Sequence, residues 1–371
     1  MIFLKFDRRI FHYFDWMLLA FVLSICALGV LNIYSTGFSA SEGQIPLYLK
    51  QIQWIIIGLI FLAVLFFIDY RAIIQYAYII YGALVVLLVL VHFIGYTSHG
   101  SQRWIGGGFF AFQPSELMKL VIIITLARYF DNHKSNEPYK LKELLVPLLI
   151  VLLPFVLILK QPDLGTALML MIIFVSIVFF IGVDKRSLIA AVVSALILIP
   201  IGWHFLKDYQ RERLITFLDP ENDPLGAGYH IIQSMIAIGS GEFFGKGFLS
   251  GSQTQLKFLP EQQTDFVFSV FAEEWGFIGG LVLIGLFAVV ILWGLKIALQ
   301  ARDLLGTITA FGVTAFISWE VFINIGMVLG ILPVVGIPLP FFSYGGSAML
   351  SLMMATGLLI NVSARRFILQ R

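Results

Sequence analysis

Charge is scarce in this sequence. Lys and Arg number 24 and Asp and Glu 22 in 371 residues, so charged side chains make up 12% and the net charge is +2. A balance so near zero gives a nucleic acid backbone little to hold. Nor can so few charges cover a soluble molecule in which hydrophobic residues make up 59% and mean hydropathy is +0.94. Cysteine is nearly absent. The lone Cys26 excludes a disulfide framework and a thiolate metal cluster. Leu23-Ser-Ile-Cys has the outline of a lipoprotein cleavage site, but Ile25 is too large for its place, and a buried thiol is expected. The six histidines, His12, His92, His99, His133, His204 and His230, show no HxxxH or similar spacing, which argues against a protein-held zinc. There is no GxxxxGK[ST] phosphate loop and no GxSxG, so neither ATP nor a serine-hydrolase elbow is expected.

What is abundant is long apolar runs. They predict helices near 16–35, 53–68, 73–94, 114–130, 144–159, 164–183, 188–206, 266–296, 306–330 and 345–362. The fold class is therefore an all-α polytopic membrane protein of about ten transmembrane helices, a single integral membrane domain over 1–371. The first segment follows Lys5, Arg8 and Arg9 and is longer than a signal-peptide core, so it reads as an uncleaved helix. Lys and Arg concentrate at both termini and in alternate loops, such as Lys140, Lys142, Lys185 and Arg186. The other loops hold little beyond Lys50, Arg103 and Lys160. By the positive-inside rule both termini face the cytoplasm. A large extracytoplasmic loop, about 207–264, then lies between helices 7 and 8. Within it, Gly228-Tyr-His-Ile-Ile-Gln-Ser-Met has helical spacing suited to an interfacial helix. Gly245 and Gly247 fit either a close backbone approach to a ligand or a tight turn. Residues 329–347 are apolar, uncharged and rich in Pro and Gly. Such irregular backbone at membrane depth must be buried in protein or line a cavity, so this stretch reads as a groove wall.

Ionisable groups in apolar segments are functional suspects. The foremost is Asp265 in Phe258-Leu-Pro-Glu-Gln-Gln-Thr-Asp, where a polar loop meets an apolar helix. There a carboxylate touches water and lipid headgroups together, which suits a base acting on a lipid-linked, water-soluble group. Its alternative is a helix-start acid favoured by the dipole. Asp265, Ser269 and Glu273 share a stripe that would extend a polar face into the membrane. Glu116 and Lys119 stand i, i+3 on one face, as a self-neutralising ion pair or as the charged wall of a cavity. Asp163 is an N-cap, or a group placed to meet Lys119 or a substrate. Glu320 lies mid-helix and needs a partner that the sequence does not reveal. Arg103 and Lys257 are cations fit to grip a diphosphate, whereas Lys246 is expected to be solvated.

These residues also resemble a family. Gln102-Arg-Trp-Ile, Gln113-Pro-Ser-Glu-Leu-Met-Lys, Lys160-Gln-Pro-Asp-Leu-Gly-Thr-Ala, Arg213-Leu-Ile-Thr-Phe-Leu-Asp-Pro, Gln255-Leu-Lys-Phe-Leu-Pro-Glu, Thr264-Asp-Phe-Val-Phe-Ser, Asn324-Ile-Gly-Met-Val and Pro338-Leu-Pro-Phe-Phe-Ser-Tyr-Gly-Gly-Ser are similar to the SEDS proteins of shape, elongation, division and sporulation, and most like the elongation branch. The chain departs from many members at Gln263, where they carry a histidine, so a proton relay at that position is not expected here. The resemblance implies a peptidoglycan glycosyltransferase that polymerises lipid II outside the cytoplasmic membrane, partnered by a class B penicillin-binding protein transpeptidase. It implies Asp265 as the essential acid and Glu116, Lys119 and Asp163 as the charged residues of the cavity; Arg103, Lys160, Lys257, Glu261, Thr264 and Ser343 complete the expected substrate contacts. A divalent cation, Mg2+ or Mn2+, is a further expectation for the leaving diphosphate. The competing expectation is a lipid II flippase, which would use the same groove but needs a path across the bilayer.

Overall fold

The computed structural model describes residues 12–37, 46–98, 101–106, 111–135, 137–205, 208–220, 226–256, 258–259 and 261–366. The helices are α1 (Trp16–Gly37), α2 (Leu47–Phe67), the short α3 (Tyr70–Gln75), α4 (Ala77–Ile94), α5 (Pro114–Asn132), α6 (Leu145–Lys160), α7 (Leu164–Ile181) and α8 (Lys185–Phe205). They continue with α9 (Asp208–Leu218), α10 (Ala227–Ser240), the one-turn α11 (Ser252–Gln255), α12 (Val267–Gln300), α13 (Leu304–Val328) and α14 (Gly346–Arg365). Among the described residues, seven helices are long and apolar enough to cross a membrane: α1, α2, α4, α7, α12, α13 and α14. A spanning segment satisfies its own backbone polar groups only as a helix, which is why these uninterrupted apolar runs fold this way. Each predicted helix has a counterpart within a few residues, and the segment expected as a long loop carries α9, α10 and α11.

Burial separates centre from rim. In its most apolar stretch α14 is 89% buried and α13 72%, whereas α4 is 22% buried. α14 lies against α2 and α13, and α5 packs on α13, so α5, α13 and α14 form the centre. On α2, Ile56, Ile60 and Val64 are exposed, which is the lipid-facing side expected of a rim helix.

Two features depart from a plain bundle. A small antiparallel hairpin, β1 (Tyr96–Ser98) with β2 (Ser101–Trp104), pairs Tyr96 with Trp104 and Ser98 with Ser101. It was not foreseen, and it carries Arg103. The second is a break in α12. At 34 residues α12 would run ~51 Å at 1.5 Å per residue, well beyond a ~30 Å hydrocarbon core. Gly276 interrupts it at φ 65°, ψ −165°. The freed backbone groups are taken up by the loop after α10: Lys246 N–H donates to Glu273 O (3.0 Å), Gly247 N–H to Glu274 O (3.0 Å), and Phe277 N–H to Glu242 O (2.8 Å). A Cβ on Gly245 would sit 2.1 Å from Glu274 O, so only glycine allows this approach. Gly245 therefore serves contact with α12, the tight-turn alternative rather than the ligand one. The stretch after the break, 277–300, is by itself long enough for a ~30 Å hydrocarbon core.

Candidate active site

Asp265 lies in the turn that feeds α12, and the turn is held carbonyl by carbonyl. Gln263 O accepts from Tyr344 N–H at 2.8 Å. Thr264 O accepts from the Ser343 hydroxyl at 2.6 Å, and Asp265 O accepts from Asn324 Nδ2 at 3.0 Å. The turn also closes on itself: Glu261 O accepts from Thr264 N–H (3.1 Å) and Phe266 N–H (3.3 Å), and Glu261 Oε2 accepts from Thr264 Oγ1 (3.1 Å). The partners come from α13 and from the irregular 329–345 segment, which is not helical, as its prolines and glycines required. Its side chains Ile337, Leu339, Phe341 and Phe342 are buried, so the segment is a wall packed in protein. At Gly336, with φ +72°, an added Cβ would lie 3.4 Å from Asp265 Oδ2, so the carboxylate rests against bare backbone.

Asp163 reaches the same wall from the other side. It caps α7, accepting from Thr166 N–H (3.1 Å) and Thr166 Oγ1 (2.9 Å). Two residues on, a Cβ at Gly165 would be 2.5 Å from Val335 O, so the start of α7 touches the wall directly. Asp163 Oδ2 also accepts from Gln113 Nε2 at 3.0 Å and lies 3.4 Å from Arg103 Nη1. Asp163 is buried, so the N-cap reading holds, and its cation is Arg103 rather than Lys119.

Lys119 is 1% exposed and sits between two carboxylates. Its Nζ is 2.5 Å from Glu320 Oε1 and 2.9 Å from Glu116 Oε2, the latter without hydrogen-bond alignment, and it lies 4.9 Å from the Phe316 ring centroid. Glu320 thus gains the partner that the sequence left unnamed. Glu116, Lys119 and Asp163 were expected to touch substrate. All three are buried and pair with protein groups, which ties α5, α7 and α13 together, while Glu116 Oε2 accepts no hydrogen bond among the described residues. Ser343 is engaged by the protein in the same way. Its hydroxyl donates to Thr264 O and accepts from Leu339 N–H at 2.8 Å, which leaves it a brace for the turn.

The polar stripe on the first part of α12 is likewise consumed. Ser269 Oγ is 2.8 Å from Ser234 Oγ of α10. Glu273, fully buried, pairs with Lys246 at 2.7 Å and accepts from Gln253 N–H at 3.0 Å. Lys246 is therefore an ion-pair partner as well as the exposed cation that was expected. Among the expected substrate contacts, Arg103 keeps a part-exposed guanidinium, and Lys160 and Glu261 are exposed. Lys257 lies outside the described residues. No three His, Cys, Asp or Glu side chains among the described residues are grouped to hold a metal ion. Asn324 was missed as a site residue, although the sequence displays it as an amide inside an apolar helix.

Residues 15–367 match the FtsW/RodA/SpoVE family, described as cell cycle proteins. The chain belongs to this family. Among relatives, the Escherichia coli K12 protein named peptidoglycan glycosyltransferase MrdB is 42% identical over 96% of this chain and 95% of its own length. The Treponema pallidum protein named peptidoglycan glycosyltransferase RodA is 36% identical over 95% and 98%. Among solved structures, a chain from "Structural coordination of polymerization and crosslinking by a peptidoglycan synthase complex" superposes with TM-score 0.81 at 32% identity, covering 95% of this chain and 98% of that one. The crystal structure of Thermus thermophilus rod shape determining protein RodA gives TM-score 0.71 at 28% identity over 96% and 98%. The FtsW/RodA/SpoVE fold thus extends over nearly the whole chain.

Proposed function

We propose that Asp265 is the general base of a glycan polymerase that uses lipid II at the outer face of the bacterial cytoplasmic membrane. The chain is a membrane-embedded peptidoglycan glycosyltransferase of cell wall and cell shape formation, as its relatives over nearly its full length are named. In the proposed step the sugar 4-hydroxyl of one lipid II attacks the anomeric carbon of the growing glycan. The new glycosidic bond forms as the bond to undecaprenyl diphosphate breaks. Asp265 takes the hydroxyl proton, an assistance typically worth about 10²–10⁴-fold. The observation that carries this assignment is the pinning of three successive carbonyls, Gln263, Thr264 and Asp265, which holds the carboxylate at a loop–helix junction against bare backbone. A base must be held still to gain from proximity.

Arg103 and Lys160 are the proposed contacts for the departing diphosphate, and the turn residues Glu261 and Thr264 flank the acceptor. A divalent cation on the leaving diphosphate is part of the same proposal, since such an ion takes one or two carboxylates together with the substrate's own phosphate oxygens. A class B penicillin-binding protein is the proposed partner, supported by the likeness to a chain of a complex that polymerises and crosslinks. The flippase reading is not favoured, since these relatives carry the name glycosyltransferase. The test is polymer formation from lipid II by purified protein with its partner. Asp265→Ala and Asp265→Asn should fold, bind the partner and make no strands. Wild-type polymer yield from either variant would overturn the assignment.

A further inference from the structure

We infer that Asn324 is a positioning residue for Asp265, fixing the base by clamping its turn to the groove wall. The inference rests on Asp265 being the base. Asn324 stands on α13, fully buried, with neither water nor lipid to compete for its amide. Its Nδ2 donates to Asp265 O at 3.0 Å and to Ile337 O at 2.7 Å. Two carbonyl oxygens at these distances demand the NH2 end of the amide, so the orientation is set by the partners. One side chain thus ties together the turn that carries the base and the irregular wall on which its carboxylate rests. The other donors to the turn, Ser343 and Tyr344, both come from the wall. Asn324 alone among these three donors joins turn and wall to the helical centre.

That centre is itself locked. Glu320 lies one helical turn before Asn324 on the same face and is bound to Lys119 of α5. The rotation and depth of α13, and with them the Asn324 amide, are therefore set by a buried ion pair. Asn324 Oδ1 has no hydrogen-bond partner among the described residues. The contacts through which the amide acts are therefore the two bonds that its Nδ2 donates. Asn324 touches no reacting atom in this account. It acts through Asp265.

The experiment is steady-state polymerisation of lipid II by the full chain with its transpeptidase partner, alongside thermal unfolding in detergent. Asn324→Ala should lower kcat by about 10- to 100-fold, the scale of a misplaced reacting group, while KM for lipid II stays within about 2-fold. Asn324→Ser, which keeps one donor, should recover part of the lost kcat at a melting temperature no higher than that of Asn324→Ala. A merely structural role would instead move melting temperature and kcat together, and recovery would follow stability. The inference is overturned if Asn324→Ala turns over at the wild-type rate, if KM carries the loss, or if activity tracks the folded fraction across both variants. Asp265→Asn run in parallel separates the two layers. An active Asp265→Asn removes the base assignment and this inference with it, whereas an inert Asp265→Asn beside a fully active Asn324→Ala removes the clamp alone.

Discussion

Lys119 stands between Glu116 and Glu320, so the buried triad carries one positive and two negative formal charges. Charges inside a membrane protein are costly unless paired, and the excess here is negative. Removing the cation should therefore cost far more than removing one anion. Lys119→Met, which leaves two carboxylates facing each other, is expected to lose about 3–5 kcal/mol, the range for breaking a buried pair. Glu320→Gln balances the charge, keeps the shape and should lose much less. Thermal unfolding in detergent checks this, and the reverse order of melting temperatures would refute it. At the other end of α13, Asp303 makes a case for pH. Burial pushes its carboxyl up, but the Gly306 N–H, the Tyr70 hydroxyl and the Arg71 guanidinium beside it pull it below the usual carboxylate range. A depressed carboxyl contributes stability above its unfolded value of ~3.9, and that stability is lost as pH falls through the lower folded value. Asp303→Asn should thus melt lower than wild type at pH 7, with the gap closing as pH drops below ~4. A gap that is constant from pH 7 to 3 would show that the carboxylate charge contributes nothing.

α12 and its break show what a single element can hide. An alanine at Gly276 would bring Cβ within 2.3 Å of Gly245 N at a backbone φ of +65°. Gly276→Ala should cost roughly 1–3 kcal/mol and loosen the 241–247 loop, measured as lost melting temperature and faster hydrogen exchange there. Gly285→Ala on the same helix meets nothing within 4 Å and should be neutral or gain up to ~1 kcal/mol from helix propensity. Equal losses at both positions would mean that the break is not a required feature. The sequence shows Gly276 only as one more glycine in an apolar run, because the groups that satisfy the break arrive from the 241–247 loop. The helices were legible, since a spanning helix is written locally in about 20 apolar residues. The hairpin was not: strands of 3 and 4 residues are too short for a period-two pattern to register. The site divides in the same way. Asp265 was legible from its place between polar loop and apolar helix. Its clamps were not, because Asn324 and Ser343 lie 59 and 79 residues from the carbonyls they hold, and Glu320 lies 201 residues from Lys119. Distant pairings of this kind leave no periodic trace in a single chain.

At the scale of the whole molecule, α13 sets Asp265 and Asp303 at opposite ends. Asn324, which holds the Asp265 turn, is 20 positions beyond Leu304, a rise of ~30 Å at 1.5 Å per residue and about the thickness of the hydrocarbon core. Near the Asp303 end Arg71 pairs with Asp303 and Arg365 with Asp69, two cations matched by two carboxylates, and the further cations Arg302 and Arg366 adjoin them in sequence, the excess expected of a cytoplasmic face. The Asp265 end carries Asp163, Arg103 and the exposed Lys160 at the close of α6. If polymerisation occurs outside the cell, these ends must face opposite compartments. Cys26 is the only native thiol and is 2% exposed, so a Cys26→Ser background should be silent to maleimides. On that background Lys160→Cys should react with a membrane-impermeant maleimide in intact spheroplasts. Arg302→Cys, exposed beside Asp303, should react only after the membrane is opened. The opposite pattern would put Asp265 in the cytoplasm, where a base could not act on lipid II already displayed outside, and the outward polymerase would have to be abandoned even if Asp265 proved essential.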